Sequence, residues 1–174
     1  SRDIPVGCTV FTDGSLLDNK LPKGCHALGW AFVVLDRDGE VVLAAHGVPP
    51  KWVDTIQGAE LWAIQMALAP VVLPQRLWTD CLTVKLGLGR PSEWAGSSKR
   101  KFARIWSVVR AQVDDLPDAV QWMPAHVSES SVRHVKASVG RVSHDMWCAN
   151  QMCDFLCKES AESVRVPEAS RMQL

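Results

Sequence analysis

The chain has 174 residues, and 47% of them are hydrophobic, which predicts one globular domain with a buried core. Its 19 basic and 19 acidic side chains balance, and this zero net charge argues against a strongly basic nucleic-acid-binding protein. No apolar run is long enough to cross a membrane, and the first residues lack the apolar segment of a secretory signal. We therefore expect an intracellular protein, nuclear or cytoplasmic, that is neither secreted nor attached to a membrane.

The first predicted strand carries an acid in an apolar setting. Apolar residues lead into Phe11-Thr12-Asp13-Gly14-Ser15, and Gly14 ends the run, which places Asp13 at or near the end of the strand. A carboxylate on a buried strand is costly unless a cation meets it, and no Lys or Arg lies within four residues of Asp13. A metal ion held together with further acids would account for it.

The rest of the chain alternates predicted strands and helices. Thr55 is predicted to cap the first helix, which runs to about Ala69. Further strands are predicted at 25–35, 40–47, 76–79 and 120–123, and further helices at 81–88, 99–113 and 145–163. This order indicates an α/β or α+β class with a mixed sheet, in one domain at 1–163 that is followed by a flexible tail at 164–174.

Loops are predicted at 16–24, 89–98 and 124–143. Trp94 lies in the second of these, where it is either a local packing anchor or a surface on which a nucleic-acid strand stacks. The third contains an extended loop at about 127–143. Ser and Gly dominate its ends and few apolar residues anchor it, so we expect it to be mobile in the absence of substrate.

Three further acids lie among apolar residues. Glu60 is in the first turns of the predicted helix, on the same face as Ile64, and that face should pack on the sheet and direct Glu60 toward Asp13. Asp80 follows a short buried strand, at the carboxyl end where open α/β sheets place ligands, and Asp154 lies in the last helix. Four acids in such settings indicate an oxygen-ligand site for a hard cation.

The segments around these acids resemble the type-1 ribonuclease H family, in the form carried by reverse-transcribing elements. The matching pieces occur in the family's order over nearly the whole chain: Phe11 to Ser15, Ala59 to Ala63, Trp78 to Cys81, Trp122 to His126, and Asn150 to Asp154. The resemblance implies a ribonuclease H-like fold, with a five-stranded mixed sheet, a second strand antiparallel to the others, and helices on both faces.

The resemblance also implies an activity: hydrolysis of the RNA strand of an RNA–DNA hybrid by a two-metal mechanism. Two Mg²⁺ ions, with Mn²⁺ as a substitute, would be held by the four carboxylates. Asp13 would bridge the ions, Glu60 and Asp80 would complete one side, and Asp154 would bind the second ion. The domain would be a monomer in isolation and part of a larger reverse-transcriptase polypeptide.

A catalytic histidine is also implied by the resemblance, and three candidates are available. His126 follows Trp122-Met123-Pro124-Ala125, the element that carries this histidine in the family, and its role would be proton handling or product release. It lies 28 positions before Asp154, which is more than the family usually shows, whereas His144 lies 10 positions before. We favour His126, with His144 and His134 as alternatives.

Substrate contacts are expected near the acids and on basic patches. Candidates for reading the RNA 2′-hydroxyls are Gly14, Ser15, Asn19 and, best, Gln57, since the family commonly has an amide three residues before the helix acid. Asn150 opens the last matching segment and is a further candidate. Lys99 and Arg100 begin an acid-free basic stretch that would hold the DNA strand.

Other interpretations remain open. The six cysteines are expected to be reduced and mostly buried, although His144, Cys148, Cys153 and Cys157 could form a zinc site. The long loop before Asp154 leaves room for a catalytically weak module that binds hybrids. A resolvase-like or integrase-like nuclease of the same fold is a third alternative, against which Gln57 and the element before His126 argue.

Overall fold

A five-stranded mixed sheet is the centre of the computed structural model, which describes Ile4 and residues 6–71, 76–113 and 118–172. Its strands are β1 (Thr9–Leu17), β2 (Ala27–Leu35), β3 (Val41–Gly47), β4 (Arg76–Thr79) and β5 (Val120–Trp122). They lie in the order β3-β2-β1-β4-β5, where β2 is antiparallel to both neighbours and β4 is parallel to β1 and β5. The predicted fold class and the antiparallel second strand are confirmed.

Helices cover both faces of this sheet. They are α1 (Ile56–Leu68), α2 (Leu82–Leu88), α3 (Ser92–Gly96), α4 (Ala103–Val113), α5 (His144–Ser163) and α6 (Glu168–Arg171). Thr55 caps α1 as predicted, because its Oγ1 accepts a hydrogen bond of 3.1 Å from the backbone nitrogen of Gly58. Within the described ranges, no helix combines the length and the apolarity that crossing a membrane requires.

Successive residues of β1 face opposite sides of the sheet and so contribute to two separate cores. Val10 packs in one core with Ile64 of α1 and Trp106 of α4. Phe11 packs in the other with Cys153 of α5. Because both faces of β1 are covered, a polar side chain on this strand is removed from bulk water and needs a partner within the protein.

β1 continues past Asp13 to Leu17, so the prediction that Asp13 lies at the strand end is wrong. The strand runs through Gly14 because the residues after it, up to Leu17, pair with β2, and α1 crosses directly above this glycine. A Cβ atom on Gly14 would lie 2.8 Å from the backbone nitrogen of Glu60. The glycine therefore marks a close approach of a helix to the sheet, not the end of a strand.

α4 begins at Ala103, later than predicted, and α3 forms inside the predicted 89–98 loop. The reason for the late start is Phe102, whose φ of +64° is left-handed and interrupts the helix. Its ring packs on α1, since a Cβ atom on Gly58 would lie 2.6 Å from the ring. Lys99 and Arg100 consequently precede α4 instead of forming its first turn.

The extended loop after β5 is anchored to the core that contains α5, contrary to the expectation of few apolar anchors. Val132 and Val142 are buried in that core. The indole nitrogen of Trp147 donates a hydrogen bond of 2.7 Å to the carbonyl oxygen of Val127. The spacing of these valines follows neither a helix nor a strand period, so the sequence pattern did not indicate that they anchor the loop. The loop's mobility without substrate stays a prediction.

The segment after α5 contacts the end of β1 through Asp18. Arg165 donates to both Asp18 carboxylate oxygens at 2.8 Å, and Arg171 donates to one of them at 3.2 Å. The hydrogen bonds from Arg165, together with Arg171, lower the pKa of Asp18 to about 2. These ion pairs join the C-terminal segment to the sheet, and the predicted flexibility of the 164–174 tail stays a prediction.

Candidate active site

The pairing of β1 with β4 brings two acids together. Thr12 lies opposite Thr79 in this parallel pair, so the residues that follow them, Asp13 and Asp80, are neighbours. β4 ends at Thr79, and Asp80 therefore stands at its carboxyl end, as predicted. Asp13 is only 4% exposed and Asp80 is half-buried, so both carboxylates are largely withdrawn from solvent.

α1 supplies the third acid. The Thr55 cap fixes where the helix starts, and the crossing above Gly14 brings Glu60 down onto β1. Glu60 is 4% exposed, and among the described residues its Oε2 has no hydrogen-bond partner. A buried carboxylate oxygen without a partner is costly, and a bound cation would remove that cost.

α5 supplies the fourth acid from the opposite face of the sheet. The helix lies so close to β2 that a Cβ atom on Gly29 would be 1.9 Å from the carbonyl oxygen of Cys157. The Asp154 side chain is 21% exposed, and its Oδ2 accepts a hydrogen bond of 2.7 Å from Lys158. The Cys157 thiol donates to Asp13 Oδ2 over 3.5 Å, which links α5 directly to the acid on β1.

These side chains form two adjoining groups of potential metal ligands that share one residue. One oxygen from each of Asp13, Glu60 and Asp80 lies within 4.8 Å of the others. In the second group, Asp13 and Asp154 lie within the same distance of each other and of the Cys157 sulfur. A cavity of about 330 Å³ opens onto all four carboxylates. The structure thus brings together the four acids that the sequence singled out, and their roles stay predictions.

Crowding and burial change the acidity of three of these groups. Burial, followed by the negative charges of Asp80 and Asp154, raises the pKa of Asp13 to about 8. Burial and Asp13 raise the pKa of Glu60 well above its usual range. Burial also raises the pKa of Asp80. Such a cluster resists full ionisation on its own and favours the ionised form when a cation binds.

Two predicted site residues lie next to Asp80. Asn150, which is 4% exposed, lies close enough to the Asp80 carboxylate that its amide lowers the pKa of Asp80, against the rise that burial causes. The structure therefore places Asn150 against a site acid and not on an open surface. His126 is exposed at the cavity wall, its φ is +52°, and its charge also lowers the pKa of Asp80.

The other two histidines lie away from the cavity. His134 is exposed in a short 3₁₀ helix of the extended loop, and it does not line the cavity. His144 begins α5, where its ring is 3.5 Å from Glu129 Oε1 and 3.6 Å from the Cys148 sulfur. Of the three candidates, the structure brings only His126 to the acids, among the residues it describes.

The predicted substrate contacts do not all lie at the acids. Gly14 and Ser15 line the cavity beside the acids, whereas Gln57 is half-buried in the first turn of α1 and Asn19 lies in a different cavity. Lys99 is exposed before α4. The structure therefore brings only Gly14 and Ser15 of these residues to the acids, and the substrate contacts stay predictions.

Trp94 is a packing anchor. Its ring meets Trp106 edge-on with ring centroids 5.3 Å apart, and the Arg100 guanidinium lies 3.3 Å from the Trp94 ring centre. Arg100 also donates a hydrogen bond of 2.7 Å to the carbonyl oxygen of Trp94. Trp94 and Arg100 are thus both engaged in contacts within the protein. Lys99, the other predicted DNA contact, is exposed.

Sequence reasoning missed Cys157 and Lys158 as members of the site. They lie three and four positions after Asp154, a spacing that places them on the same helix face, and this signal was available. The sequence predicted only that the cysteines are mostly buried. Cys153 does pack in the core, where its thiol donates to the carbonyl oxygen of Phe11. The alternative four-residue zinc site does not form among the described residues.

The stability of the metal-free protein is expected to fall as the pH rises from about 4 to about 8. The pKa of Asp13 is raised from 3.8 to about 8, so over this range the folded protein keeps a proton that the unfolded chain has lost. Urea unfolding with a chelator at several pH values measures this slope, and Mg²⁺ should reverse it. If the free energy of unfolding stays level or rises between those pH values, Asp13 is not held in its protonated form in the folded protein.

Comparisons with known proteins place this geometry in context. A family model described as RNase H matches residues 6–162, and no curated protein sequence matches the chain. The chain is similar to a foamy viral protease–reverse transcriptase solved in complex with an RNA/DNA hybrid, with a TM-score of 0.65 and 14% identity over 94% of this chain and 21% of that one. It therefore spans about a fifth of the viral protein.

Two smaller structures match over nearly their whole length. One is the solution structure of the PFV RNase H domain, with a TM-score of 0.63 and 17% identity over 90% of this chain and 95% of that domain. The other is RNase H1 from the halophilic archaeon Halobacterium salinarum, with a TM-score of 0.55 and 16% identity over 90% of this chain and 98% of that protein. At these identities the structural matches establish the fold.

Proposed function

Since the chain belongs to the ribonuclease H family, whose model matches residues 6–162, we propose that it hydrolyses the RNA strand of RNA–DNA hybrids with the help of two divalent ions. Nuclease activity of the ribonuclease H type follows from the family, and the metal mechanism is our proposal. The observation that carries it is the sharing of Asp13 between two adjoining groups of ligands. A shared carboxylate is what a pair of neighbouring cations requires.

The residues present suit Mg²⁺. Asp13, Glu60 and Asp80 offer oxygen atoms, which are the ligands that this hard cation prefers. The unpartnered Oε2 of buried Glu60 and the raised pKa of Asp13 both indicate that the carboxylates need a positive charge. When bound, such a pair of ions would supply an activated water and stabilise charge on the leaving oxygen. Asp154 would complete the second position.

The remaining side chains would position these acids and move protons. The Asn150 amide, which lowers the pKa of Asp80, would hold that carboxylate in place as one ligand. His126, exposed at the cavity wall, is placed to give a proton to or take one from a group bound near Asp80. Gly14 and Ser15 would present their backbone to the sugar of the RNA strand, with Gln57 as the predicted reader of a 2′-hydroxyl.

We also propose that the chain is the ribonuclease H domain of a larger reverse-transcriptase polypeptide and is a monomer as an isolated domain. Support comes from the likeness to a foamy viral protease–reverse transcriptase, of which the chain covers 21%. Exposed Lys99 would contact the phosphate backbone of the DNA strand.

Cleavage of a strand-labelled RNA–DNA hybrid tests the proposal. With Mg²⁺, we expect cuts in the RNA strand of the hybrid and none in double-stranded RNA or double-stranded DNA. Asp80→Asn should be inactive, whereas Asp38→Asn, which changes an exposed acid in the turn before β3, should cleave normally. Binding of hybrid without cleavage would identify a binding module instead. Cleavage of double-stranded DNA would identify a resolvase-like or integrase-like nuclease.

Replacing the three candidate histidines separately should distinguish their roles. His126→Ala is expected to lower the cleavage rate about a hundredfold, because a positioned proton-transfer group typically contributes that much. His134→Ala and His144→Ala should cleave at nearly the wild-type rate, because neither side chain lines the cavity. Single-turnover rates on the labelled hybrid measure the effect. A loss confined to His144→Ala would assign the role to that residue and contradict our choice.

A further inference from the structure

The acid cluster contains a thiol that Mg²⁺ chemistry does not require. Cys157 lies one helical turn after Asp154 on α5, and its sulfur is 3.5 Å from Asp13 Oδ2. The sulfur and one oxygen from each of Asp13 and Asp154 all lie within 4.8 Å of one another. Three donor atoms at this spacing can surround one cation, and one of the three is soft.

The position of this thiol is tightly fixed. Cys157 has no exposed surface, and its backbone packs against β2 where Gly29 has no side chain. Cys153, one turn earlier, is equally buried, but its thiol donates to the carbonyl oxygen of Phe11 over 3.3 Å, and it belongs to neither group of ligands. The Cys157 thiol also donates to a backbone carbonyl, that of Asp154, over 3.2 Å, but of these two buried thiols it is the one whose sulfur lies within 4.8 Å of the Asp13 and Asp154 carboxylates.

Two further observations indicate that a cation is favoured at this position. The Lys158 ammonium lies 2.7 Å from Asp154 Oδ2, so a positive charge already contacts the second group of ligands. In the adjoining group, the buried Glu60 Oε2 has no partner among the residues that the structure describes. A cation at this position would therefore replace the Lys158 contact on Asp154 and lie beside a carboxylate whose buried oxygen has no partner among the described residues.

We propose that Asp13, Asp154 and Cys157 form a mixed oxygen–sulfur site that binds thiophilic divalent cations such as Zn²⁺ and Cd²⁺. On binding, the thiol S–H bond breaks, its proton passes to the solvent, and the freed electron pair forms the metal–sulfur bond. Mg²⁺ takes oxygen ligands and gains nothing from the sulfur. The site rests on the proposed function in one respect: Mg²⁺ is taken to use Asp13 and Asp154, so a thiophilic ion would compete with it.

Titration with Co²⁺ tests the site without using nuclease activity. Co²⁺ bound to a thiolate absorbs in the near ultraviolet by charge transfer, and we expect this band in the wild-type protein. Cys157→Ser should remove it, because a serine oxygen cannot give that transition, and should weaken Zn²⁺ binding in calorimetry by about tenfold or more. Cys153→Ala is the matched buried control and should keep the band.

Other thiols provide further controls. Cys81 lines the same cavity, and Cys148 contacts His144, so Cys81→Ser and Cys148→Ser should both keep the band. A band that disappears in either of these variants but persists in Cys157→Ser would overturn the proposal, as would the absence of any band in the wild type. Cys157→Ala provides a second variant if the serine protein does not fold, as judged by circular dichroism.

The outcome is separable from that of the hybrid assay. A protein that shows the Cys157-dependent band but leaves the hybrid intact would keep the metal site and lose the proposed nuclease mechanism. A protein that cleaves the hybrid with Mg²⁺ but shows no band would keep the mechanism and lose the sulfur ligand. Where both hold, Zn²⁺ added to the Mg²⁺ reaction should inhibit cleavage, and a chelator selective for Zn²⁺ should restore it.

Discussion

Replacing Asp13 with asparagine is expected to abolish hybrid cleavage and, at the same time, to stabilise the metal-free protein. Asp13 is the residue common to both groups of ligands, so its loss affects both proposed cation positions. The stabilisation lost from the transition state should be several kcal/mol, which lowers the rate by at least about a thousandfold. Single-turnover cleavage of the labelled hybrid with Mg²⁺ measures this loss.

Stability is expected to rise although activity falls, because burial, followed by the negative charges of Asp80 and Asp154, disfavours ionised Asp13. A neutral amide removes that repulsion, so the free energy of unfolding at pH 8 without metal should rise by about 1 kcal/mol or more. Urea unfolding with a chelator measures it, and Asp38→Asn should change neither quantity. An Asp13→Asn protein that is both inactive and less stable would show that Asp13 serves the fold more than the site.

Among the substitutions proposed for this protein, Gly29→Ala is expected to lower the free energy of unfolding the most. The added Cβ atom would lie 1.9 Å from the carbonyl oxygen of Cys157 and 2.9 Å from the backbone nitrogen of Ala161, so α5 would have to move away from β2. Overpacking of a backbone contact of this kind should cost about 3 kcal/mol or more. Thermal and urea unfolding measure the loss.

Gly24→Ala is the matched control for this change, because a Cβ atom there would meet nothing within 4 Å. Its free energy of unfolding should stay within about 0.5 kcal/mol of the wild-type value. If Gly29→Ala is as stable as Gly24→Ala, α5 lies farther from the sheet than described, and the contact between Cys157 and Asp13 would have to be longer.

The acids were predictable because each lies in a regular element or directly after one. Asp80 follows a four-residue strand with an apolar centre, and Glu60 lies at a fixed distance from the Thr55 cap, so strand ends and helix faces could be assigned from the sequence. The antiparallel direction of the second strand did not follow from these periods. It came from the resemblance to the family and was then confirmed by the pairing of β2 with both neighbours.

What could not be predicted depends on contacts between distant elements. The late start of α4 follows from the packing of Phe102 on Gly58, which no local pattern encodes. The extension of β1 beyond Gly14 depends on its pairing with β2, which continues to Leu17. The thiol of Cys157 was visible at a helical spacing from Asp154, but its distance from Asp13 requires knowing how α5 lies on the sheet.

The two glycines at the centre of the sheet have a consequence for how this protein can vary. Gly14 of β1 contacts the backbone of α1, and Gly29 of β2 contacts the backbone of α5. Main-chain contacts therefore fix the distance between the sheet and both helices that carry acids. The distances between the carboxylates of Glu60, Asp13 and Asp154 therefore depend little on the size of the surrounding apolar side chains. Core substitutions can therefore accumulate through drift, each with its cost in stability, while the arrangement of the carboxylates is inherited unchanged.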